Sequence, residues 1–404
     1  MDADILAALD PRELGRRLQE ARKARGQTQQ DAAEHLGVAR TTITAIEKGE
    51  RRIHPSELVR LAAFCGRSVG EFLRQSPPTA PFIVQLRAVL APGMEVEKEI
   101  ASCMAEFERL CLDYLELERI CAAPLVGKYP EQYRTKGVAP ESAGEDVASA
   151  ERNRLGLGDG PLLNLREVIE SDVGLRVFNI DLPSRIAEMF AHTDELGGCL
   201  AINRKHPEDR RRMSLAHGYA HFLTNRYRPE VAFLGRYQRI PEQERFADAF
   251  ARSFLMPEPG LRRRFNELKR GRQGRFTPSD LCSLAHFYFV SVEALTLRLE
   301  ELRLLPGGSW DRLHHAGFKV QEAKDLLHLR QFLANNDLLP LRYMYLAAEA
   351  FERAEITEGQ LARFLRVDRL DARRIIAELA SRTVVSDEGT VSTIPIDLGK
   401  SLSA

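Results

Sequence analysis

The sequence lacks several features that would assign it to a special class of protein. Its 58 basic and 58 acidic side chains cancel, so the net charge indicates no preference among partners. None of its six cysteines stands in a C-x-x-C pair, which excludes a disulfide framework and a thiolate zinc cluster. No apolar run approaches the ~20 residues that span a bilayer, and the first residues lack the basic-then-apolar order of a signal peptide. We therefore expect a cytoplasmic protein with reduced cysteines.

What the sequence contains is typical of a multidomain globular protein. Its 404 residues are 44% hydrophobic and 29% charged, which is enough for two to four domains with separate cores. A Pro-rich break at 76–81, a loop-rich stretch at 127–144 and the pair Gly307-Gly308 indicate boundaries. The predicted segments are 1–76, 77–145, 146–305 and 306–404.

The spacing of apolar residues predicts a mainly α fold. The first segment is predicted to be all-α, and the central one α+β, with strands at 175–182 and 199–203. In the last segment, a helix-turn-helix pattern at 356–379 precedes a hairpin pattern at 384–395. This order predicts a helical, winged-helix-like region, although a partner-binding or dimerisation module would have the same pattern.

A long helix is predicted between about 93 and 121. Its apolar residues recur at alternating steps of four and three, at Ile100, Met104, Phe107, Cys111 and Tyr114. So narrow a seam suits either a coiled-coil dimer or a helix packed within its own subunit. Segment 77–145 is therefore predicted to be a helical connector, with dimerisation as one of its two roles.

The clearest local pattern lies at residues 27–52. Thr28 is suited to cap a helix, and Asp31, three residues later, can complete a capping box. Gly37 allows a sharp turn before a second helix. The residues that would face inward are small or aliphatic: Ala32, Ala33, Leu36, Val38, Ile43 and Ile46. Together these features predict a helix-turn-helix.

The outward face of the second helix is predicted to carry short side chains and one arginine. These residues are Arg40, Thr41, Thr44 and Ala45. Such a face suits the base edges of a major groove, and Lys48, Arg51 and Arg52 follow where phosphate oxygens would lie. Between positions 12 and 60, eleven basic side chains outnumber seven acidic ones, which is a modest electrostatic footprint.

Residues 14–73 resemble the Cro/C1-type (XRE) family of helix-turn-helix regulators. The resemblance rests on Thr28-Gln29, Leu36-Gly37-Val38 and Ile43 with Ile46-Glu47-Lys48-Gly49. It implies that Gln29 caps onto a phosphate, that the outward face meets bases, and that a homodimer binds two half-sites of a double-stranded DNA operator. A helix-turn-helix used only for protein contacts is the alternative.

A second pattern suggests a metal site. His217 and His221 are four residues apart, so on a helix they share one face and can share a metal ion. On a later amphipathic helix, Glu244 is a candidate third ligand, and Asp248 could hold the ring N–H of a ligating histidine in the second shell. Zn²⁺ is the expected ion, although another divalent metal would suit these ligands. The alternative is two ordinary helix histidines.

Residues 147–257 resemble the ImmA/IrrE family of gluzincin-like metallopeptidases. The resemblance rests on Ile202-Asn203, Arg210-Arg211-Arg212 and the ending Ala247-Asp248-x-Phe250-Ala251-x-x-Phe254-Leu255-Met256-Pro257. Members of that family also carry regulator and peptidase domains in one chain, so the two resemblances agree with each other.

The sequence departs from that family at Gly218. In the family motif H-E-x-x-H this position is a glutamate that acts as general base and general acid, and glycine can do neither. Three explanations remain open at this point. The domain is a natural pseudo-peptidase used for sensing or assembly, a glutamate has been replaced artificially, or another side chain is the base, for which the spacing offers no candidate.

The leading hypothesis is a sequence-specific DNA-binding transcriptional regulator whose metallopeptidase-like domain senses a signal or organises assembly. The alternative is a zinc-dependent endopeptidase that cleaves a repressor or another regulatory protein and is located by its helix-turn-helix. A third hypothesis is a scaffold in stress or defence signalling that needs neither DNA nor catalysis.

Overall fold

The computed structural model describes residues 11–67, 98–233, 241–329, 337–385 and 391–395, with isolated residues 69, 72 and 86. The chain divides into two compact units between Arg109 and Leu110. It is mainly α and multidomain, as predicted. None of the described helices is long and apolar enough to cross a membrane. The predicted Pro-rich break at 76–81 lies outside the described residues.

Four helices form the N-terminal part of the first unit. They are α1 (Pro11–Ala24), α2 (Gln29–Leu36), α3 (Arg40–Glu47) and α4 (Pro55–Phe64). Their inner faces form one core that includes Leu18, Ile43 and Leu61. At Gly15 a Cβ would lie 2.3 Å from the Ile46 carbonyl oxygen, so only glycine lets α1 approach the end of α3 this closely.

Helix α5 (Lys98–Ile120) carries the predicted apolar seam. The five seam residues are each at most 1% exposed in the single chain. In the second unit, the Tyr114 ring packs edge-on against Phe178 and Tyr343 at centroid distances of 6.1 and 5.3 Å. At its second-unit end the seam therefore packs within the chain, and a role of this helix in dimerisation stays a prediction.

The second unit contains a mixed four-stranded sheet. Its strands are β1 (Arg176–Ile180), β2 (Ile186–Thr193), β3 (Gly197–Asn203) and β4 (Glu230–Phe233), in the order β1-β3-β2-β4. β1 and β3 are parallel, and β2 is antiparallel to both β3 and β4. The strands predicted at 175–182 and 199–203 are confirmed, whereas β2 and β4 were not predicted. β2 is buried on both faces along most of its length, so its sequence has no alternation to detect.

Helices surround this sheet. The first four are α6 (Pro140–Arg154), α7 (Leu165–Glu167, continued by a π-helical turn at Val168–Val173), α8 (Glu208–Asn225) and α9 (Glu242–Leu255). α6 begins inside the stretch predicted to be a loop as far as residue 144, and that part of the prediction is wrong. The loop was inferred from Pro130, Gly137 and Pro140, but proline is readily accommodated in the first turn of a helix.

The remaining helices complete the core and the C-terminal region. They are α10 (Glu258–Gly271), α11 (Pro278–Tyr288), α12 (Val292–Glu301), α13 (Ser309–His315), α14 (Val320–Leu326), α15 (Leu341–Glu352), α16 (Glu358–Leu365) and α17 (Arg369–Ala380). The antiparallel strands β5 (Ser381–Val385) and β6 (Val391–Pro395) follow α17. The helices α15 to α17 and this hairpin have the order of a winged helix, as the sequence predicts. Residues 386–390, where the turn of the predicted hairpin falls, lie outside the described residues.

Ion pairs connect α5 to the sheet and to the C-terminal helices. Glu118 lies 2.6 Å from Arg176 and 3.0 Å from Arg342, and Asp113 lies 2.7 Å from Arg366. All six cysteines are buried, and none of them is in a disulfide.

Candidate metal centre and DNA-reading helices

The N-terminal helix-turn-helix has the local geometry that its sequence predicts. Thr28 Oγ1 accepts a hydrogen bond from the Asp31 backbone N–H at 3.1 Å, and the Asp31 carboxylate accepts one from the Thr28 N–H at 2.8 Å. Helix α2 ends at Gly37, whose φ of +70° lies in the left-handed region that favours glycine. This capping box and this C-cap fix both ends of α2 and therefore the point at which α3 can begin.

Helix α3 has two faces of different chemistry. Ile43 and Ile46 are buried on its inner face. On the outer face Arg40 and Thr41 are exposed, and Thr44 and Ala45 are half-buried. The structure thus brings together the four positions expected to meet bases, and their contacts with DNA remain a prediction.

A buried ion pair that the sequence analysis missed connects α1 to α3. Arg22 Nε lies 2.6 Å from Glu47 Oε1, and Arg22 Nη2 donates to Glu47 Oε2 at 2.9 Å. Gln29 Nε2 donates to the same Glu47 oxygen at 2.9 Å. Burial raises the pKa of Glu47, but the bonds from Arg22 and Gln29 outweigh it, so the pKa is lowered and the carboxylate stays ionised. In the free protein, the Gln29 amide expected to reach a phosphate is held by Glu47.

The three cations expected to meet phosphate differ in their surroundings. Lys48 and Arg52 are exposed. Arg51 instead donates to both carboxylate oxygens of Glu57, at 2.9 and 3.1 Å. Because Glu57 also accepts from the His54 backbone N–H at 3.0 Å, this pair connects the loop to the start of α4.

The predicted metal ligands come together between α8 and α9. His217 Nε2 lies 3.5 Å from Glu244 Oε2, and His221 Nε2 lies 3.5 Å from Glu244 Oε1. One ligand atom from each of these three residues lies within 4.8 Å of the other two. Two imidazole nitrogens and one carboxylate form a donor set that suits Zn²⁺ held by three protein ligands.

The surroundings of the two histidines fit a cation. His221 Nε2 is buried and has no hydrogen-bond partner among the described residues, which is costly unless an ion takes that place. Burial and the neighbouring His217 lower the pKa of His221 to about 3, so this ring is neutral, as a metal ligand must be. Burial also raises the pKa of Glu230 to about 7 and that of Asp248, and in both cases other carboxylates add to the effect.

The partner of the other His217 nitrogen is a residue that the sequence analysis missed. His217 Nδ1 donates to Glu188 Oε1 at 3.0 Å, from helix α8 to strand β2. Burial lowers the pKa of His217, but Glu188 outweighs it and holds the pKa well above its usual value. Glu188 is 29 residues from His217 in the chain, in a strand that was not predicted, so no spacing rule could have found it.

Asp248, one turn after Glu244, occupies a different place from the one expected. Its Oδ1 lies 3.6 Å from His217 Nε2, the nitrogen that also faces Glu244, and its side chain is 47% exposed. At the Nδ1 atom of His217, the carboxylate in hydrogen-bond contact is Glu188. Asp248 therefore lies on the same side of the ring as the candidate ligand Glu244.

Gly218 lies in α8 between the two histidines. A Cβ on Gly218 would lie 2.5 Å from Leu200 Cδ2 and 3.0 Å from Glu188 Oε1. Side chains of β2 and β3 therefore fill the space beside this position.

Comparison with family models finds two matches on the chain. Residues 13–74 match a helix-turn-helix domain, and residues 170–300 match an IrrE N-terminal-like domain. A comparison with curated proteins found no match. The first match spans α1 to α4, and the second spans the sheet, the candidate ligands and the helices as far as residue 300. The chain is therefore a fusion of an N-terminal helix-turn-helix domain with an IrrE N-terminal-like, peptidase-type domain.

Proposed function

We propose that this protein is a sequence-specific DNA-binding transcriptional regulator in which the IrrE-like domain senses a signal or organises assembly without cleaving peptides. The observation that carries the proposal is a contrast between the two domains. The helix-turn-helix has its caps, its core and an exposed polar face on α3. The peptidase-like domain keeps three candidate ligands, but Gly218 offers no group that could take up or deliver a proton.

The outer face of α3 supports operator binding. Arg40 at the start of α3 is exposed and is suited to bidentate contact with a guanine edge, while the short Thr41 side chain allows close approach to the groove floor. Exposed Lys48 and Arg52 follow the helix and supply charge for phosphates. We further propose that two copies of the chain bind one operator as a homodimer, because each helix-turn-helix covers one half-site.

In the proposed regulator, His217, His221 and Glu244 hold Zn²⁺. A bound zinc ion would supply Lewis acidity and would stabilise the folded domain by mass action. The residues of this chain then have positional roles: Glu244 connects α9 to both rings, and Glu188 orients His217. A metal held in this way couples α8 to α9 and gives the domain a means of sensing metal occupancy.

One observation favours a second candidate function, a zinc-dependent endopeptidase that cleaves a repressor or another regulatory protein. Asp248 Oδ1 lies 3.6 Å from His217 Nε2, and its side chain is partly open to solvent. It is a carboxylate outside the three candidate ligands that could replace the missing glutamate. Cleavage of a candidate repressor by the zinc-loaded protein, lost in Asp248→Asn, would favour this function over the first.

The main proposal is tested by selecting operator sequences with the full chain and measuring affinity at several salt concentrations. Arg40→Ala is expected to weaken operator binding by about 1–3 kcal/mol and to relax selectivity at one base position. Lys48→Ala is expected to weaken binding to all sequences. It should also reduce, by about 1, the slope of the logarithm of the binding constant against the logarithm of the salt concentration. Arg134→Ala, which removes an exposed arginine from the other unit, is the matched control. An absence of selective, salt-dependent binding would contradict the proposal.

A further inference from the structure

The surroundings of Gly218 are filled by the sheet. If a methyl group were added to this glycine, its nearest neighbour would be Leu200 Cδ2 at 2.5 Å, and Leu200 is fully buried. The next would be Glu188 Oε1 at 3.0 Å. Contacts this short require the neighbour to move, and a buried leucine in a close-packed core has little room to do so. Position 218 is therefore crowded for any side chain, beginning with alanine.

Glu188 is the unusual member of this group. It is 2% exposed, near the start of β2, and its Oε2 has no hydrogen-bond partner among the described residues. Burying a carboxylate is costly unless a partner compensates it. The compensation visible here is the bond from His217 Nδ1 at 3.0 Å. Glu188 is thus held in place by a candidate metal ligand and lies against the backbone of Gly218.

We propose that Glu188 and Gly218 form a matched pair, in which Glu188 is the positioning residue for the metal ligand His217 and Gly218 provides the space for its carboxylate. The proposal rests on the proposed metal binding by the IrrE-like domain. A carboxylate that accepts from Nδ1 fixes the ring orientation and leaves Nε2 directed toward Glu244. In this domain Glu188 on strand β2 accepts a hydrogen bond from His217. The next residue of helix α8, Gly218, has no side chain that could occupy the same space.

The pairing has a consequence for restoring the family motif. In Gly218→Glu the new Cβ displaces Leu200 or the Glu188 carboxylate, so the substitution disturbs His217 instead of simply adding a base. We expect Gly218→Glu alone to weaken zinc binding. The defect should be smaller when Glu188 is also shortened to alanine, because the contact with Glu188 Oε1 is then removed and only Leu200 has to move.

The test is a comparison of zinc affinity in full-length variants, measured by competition with a chromophoric chelator, together with the visible spectrum of the Co²⁺-loaded protein. Glu188→Met keeps the approximate volume but removes the acceptor, and we expect zinc affinity to fall about 10–100-fold with a changed Co²⁺ spectrum. Glu188→Gln keeps an acceptor for Nδ1–H and should recover most of the affinity. Glu170→Gln, at another buried carboxylate of the same unit, should leave zinc affinity unchanged.

Coupling between the two positions is measured with Gly218→Ala, Glu188→Ala and the double variant. The pairing predicts that Gly218→Ala weakens zinc binding strongly with Glu188 present and at least threefold less with alanine at 188. Wild-type affinity and an unchanged Co²⁺ spectrum in Glu188→Met would overturn the proposal, as would strictly additive effects. Operator affinity is measured on the same proteins and tests the proposed DNA-binding function separately. A failure of the Glu188–Gly218 pairing can therefore be told apart from a failure of the proposed regulator.

Discussion

The Arg22 guanidinium spans both carboxylate oxygens of Glu47, at 2.6 and 2.9 Å, with the two side chains only 7% and 4% exposed. The pair connects the first helix to the last residue of the helix expected to enter the major groove. Since removing one partner of a buried ion pair leaves the other charge uncompensated, the cost of losing it far exceeds that of a surface pair. The orientation of α3 therefore depends on a residue that touches no DNA in the proposed complex.

We expect Arg22→Ala to destabilise the N-terminal unit by about 3–5 kcal/mol, because Glu47 is then buried without its charge partner. Urea unfolding followed by circular dichroism measures the loss, and operator binding should weaken with it. Arg16→Ala is the control: Arg16 pairs with Glu20 on the surface of the same helix, and its removal should cost less than about 1 kcal/mol. Equal losses in the two variants would show that the buried pair does not stabilise the unit.

A second prediction concerns Glu118, which pairs with Arg176 and Arg342. Glu118→Ala leaves Arg176, which is 4% exposed, without its carboxylate, and we expect the second unit to lose about 3–5 kcal/mol. Glu195→Ala removes a partly exposed partner of the neighbouring Arg119 and should cost less than about 1 kcal/mol. Thermal unfolding of both variants tests this. A Glu118→Ala midpoint indistinguishable from that of the wild type would refute it.

The third prediction concerns pH. Burial raises the pKa of Glu170 to about 7, and Arg166 at 3.3 Å offsets this only in part. The pKa of Glu170 is higher in the folded state than in the unfolded state. Its contribution to the free energy of unfolding is therefore fully present below the unfolded pKa and is lost as pH rises through about 7. Glu170→Gln should therefore be more stable than wild type above pH 7, by at most about 3 kcal/mol, and lose this advantage near pH 4.5.

Melting temperatures of wild type and Glu170→Gln between about pH 4.5 and 8.5 would check that prediction. Glu131→Gln, which changes an exposed carboxylate of the same unit that is not among the causes of the Glu170 shift, should follow the wild-type curve. If the melting temperatures of wild type and Glu170→Gln change in parallel with pH, burial does not raise the pKa of Glu170, and the prediction is wrong.

The sequence was sufficient for the parts of the fold that depend on local chemistry. The capping box at Thr28, the turn at Gly37 and the seam spacing of α5 all depend on neighbours within a few residues. The pair His217 and His221 is similarly local, since helical periodicity alone places both rings on one face. Glu244 could be added because it lies on a second helix with its own clear apolar face.

The rest depended on contacts that no local pattern encodes. β2 is buried on both faces and has no alternating signal, so Glu188 could not be located beside His217. The surroundings of Tyr114 at the end of the α5 seam are set by Phe178 and Tyr343, which come from distant parts of the chain. The Arg22–Glu47 pair likewise joins side chains 25 residues apart.

The packing of Tyr114 against Phe178 and Tyr343 of the same chain separates folding of the second unit from association of two copies. A protomer that covers Tyr114 itself does not need a second copy to complete that part of its core, so folding and association can be governed by different surfaces. The temperature of unfolding should then be independent of protein concentration. Operator occupancy by the proposed dimer would instead rise steeply with the number of copies, so that the amount of regulator made, and not its stability, would set the response.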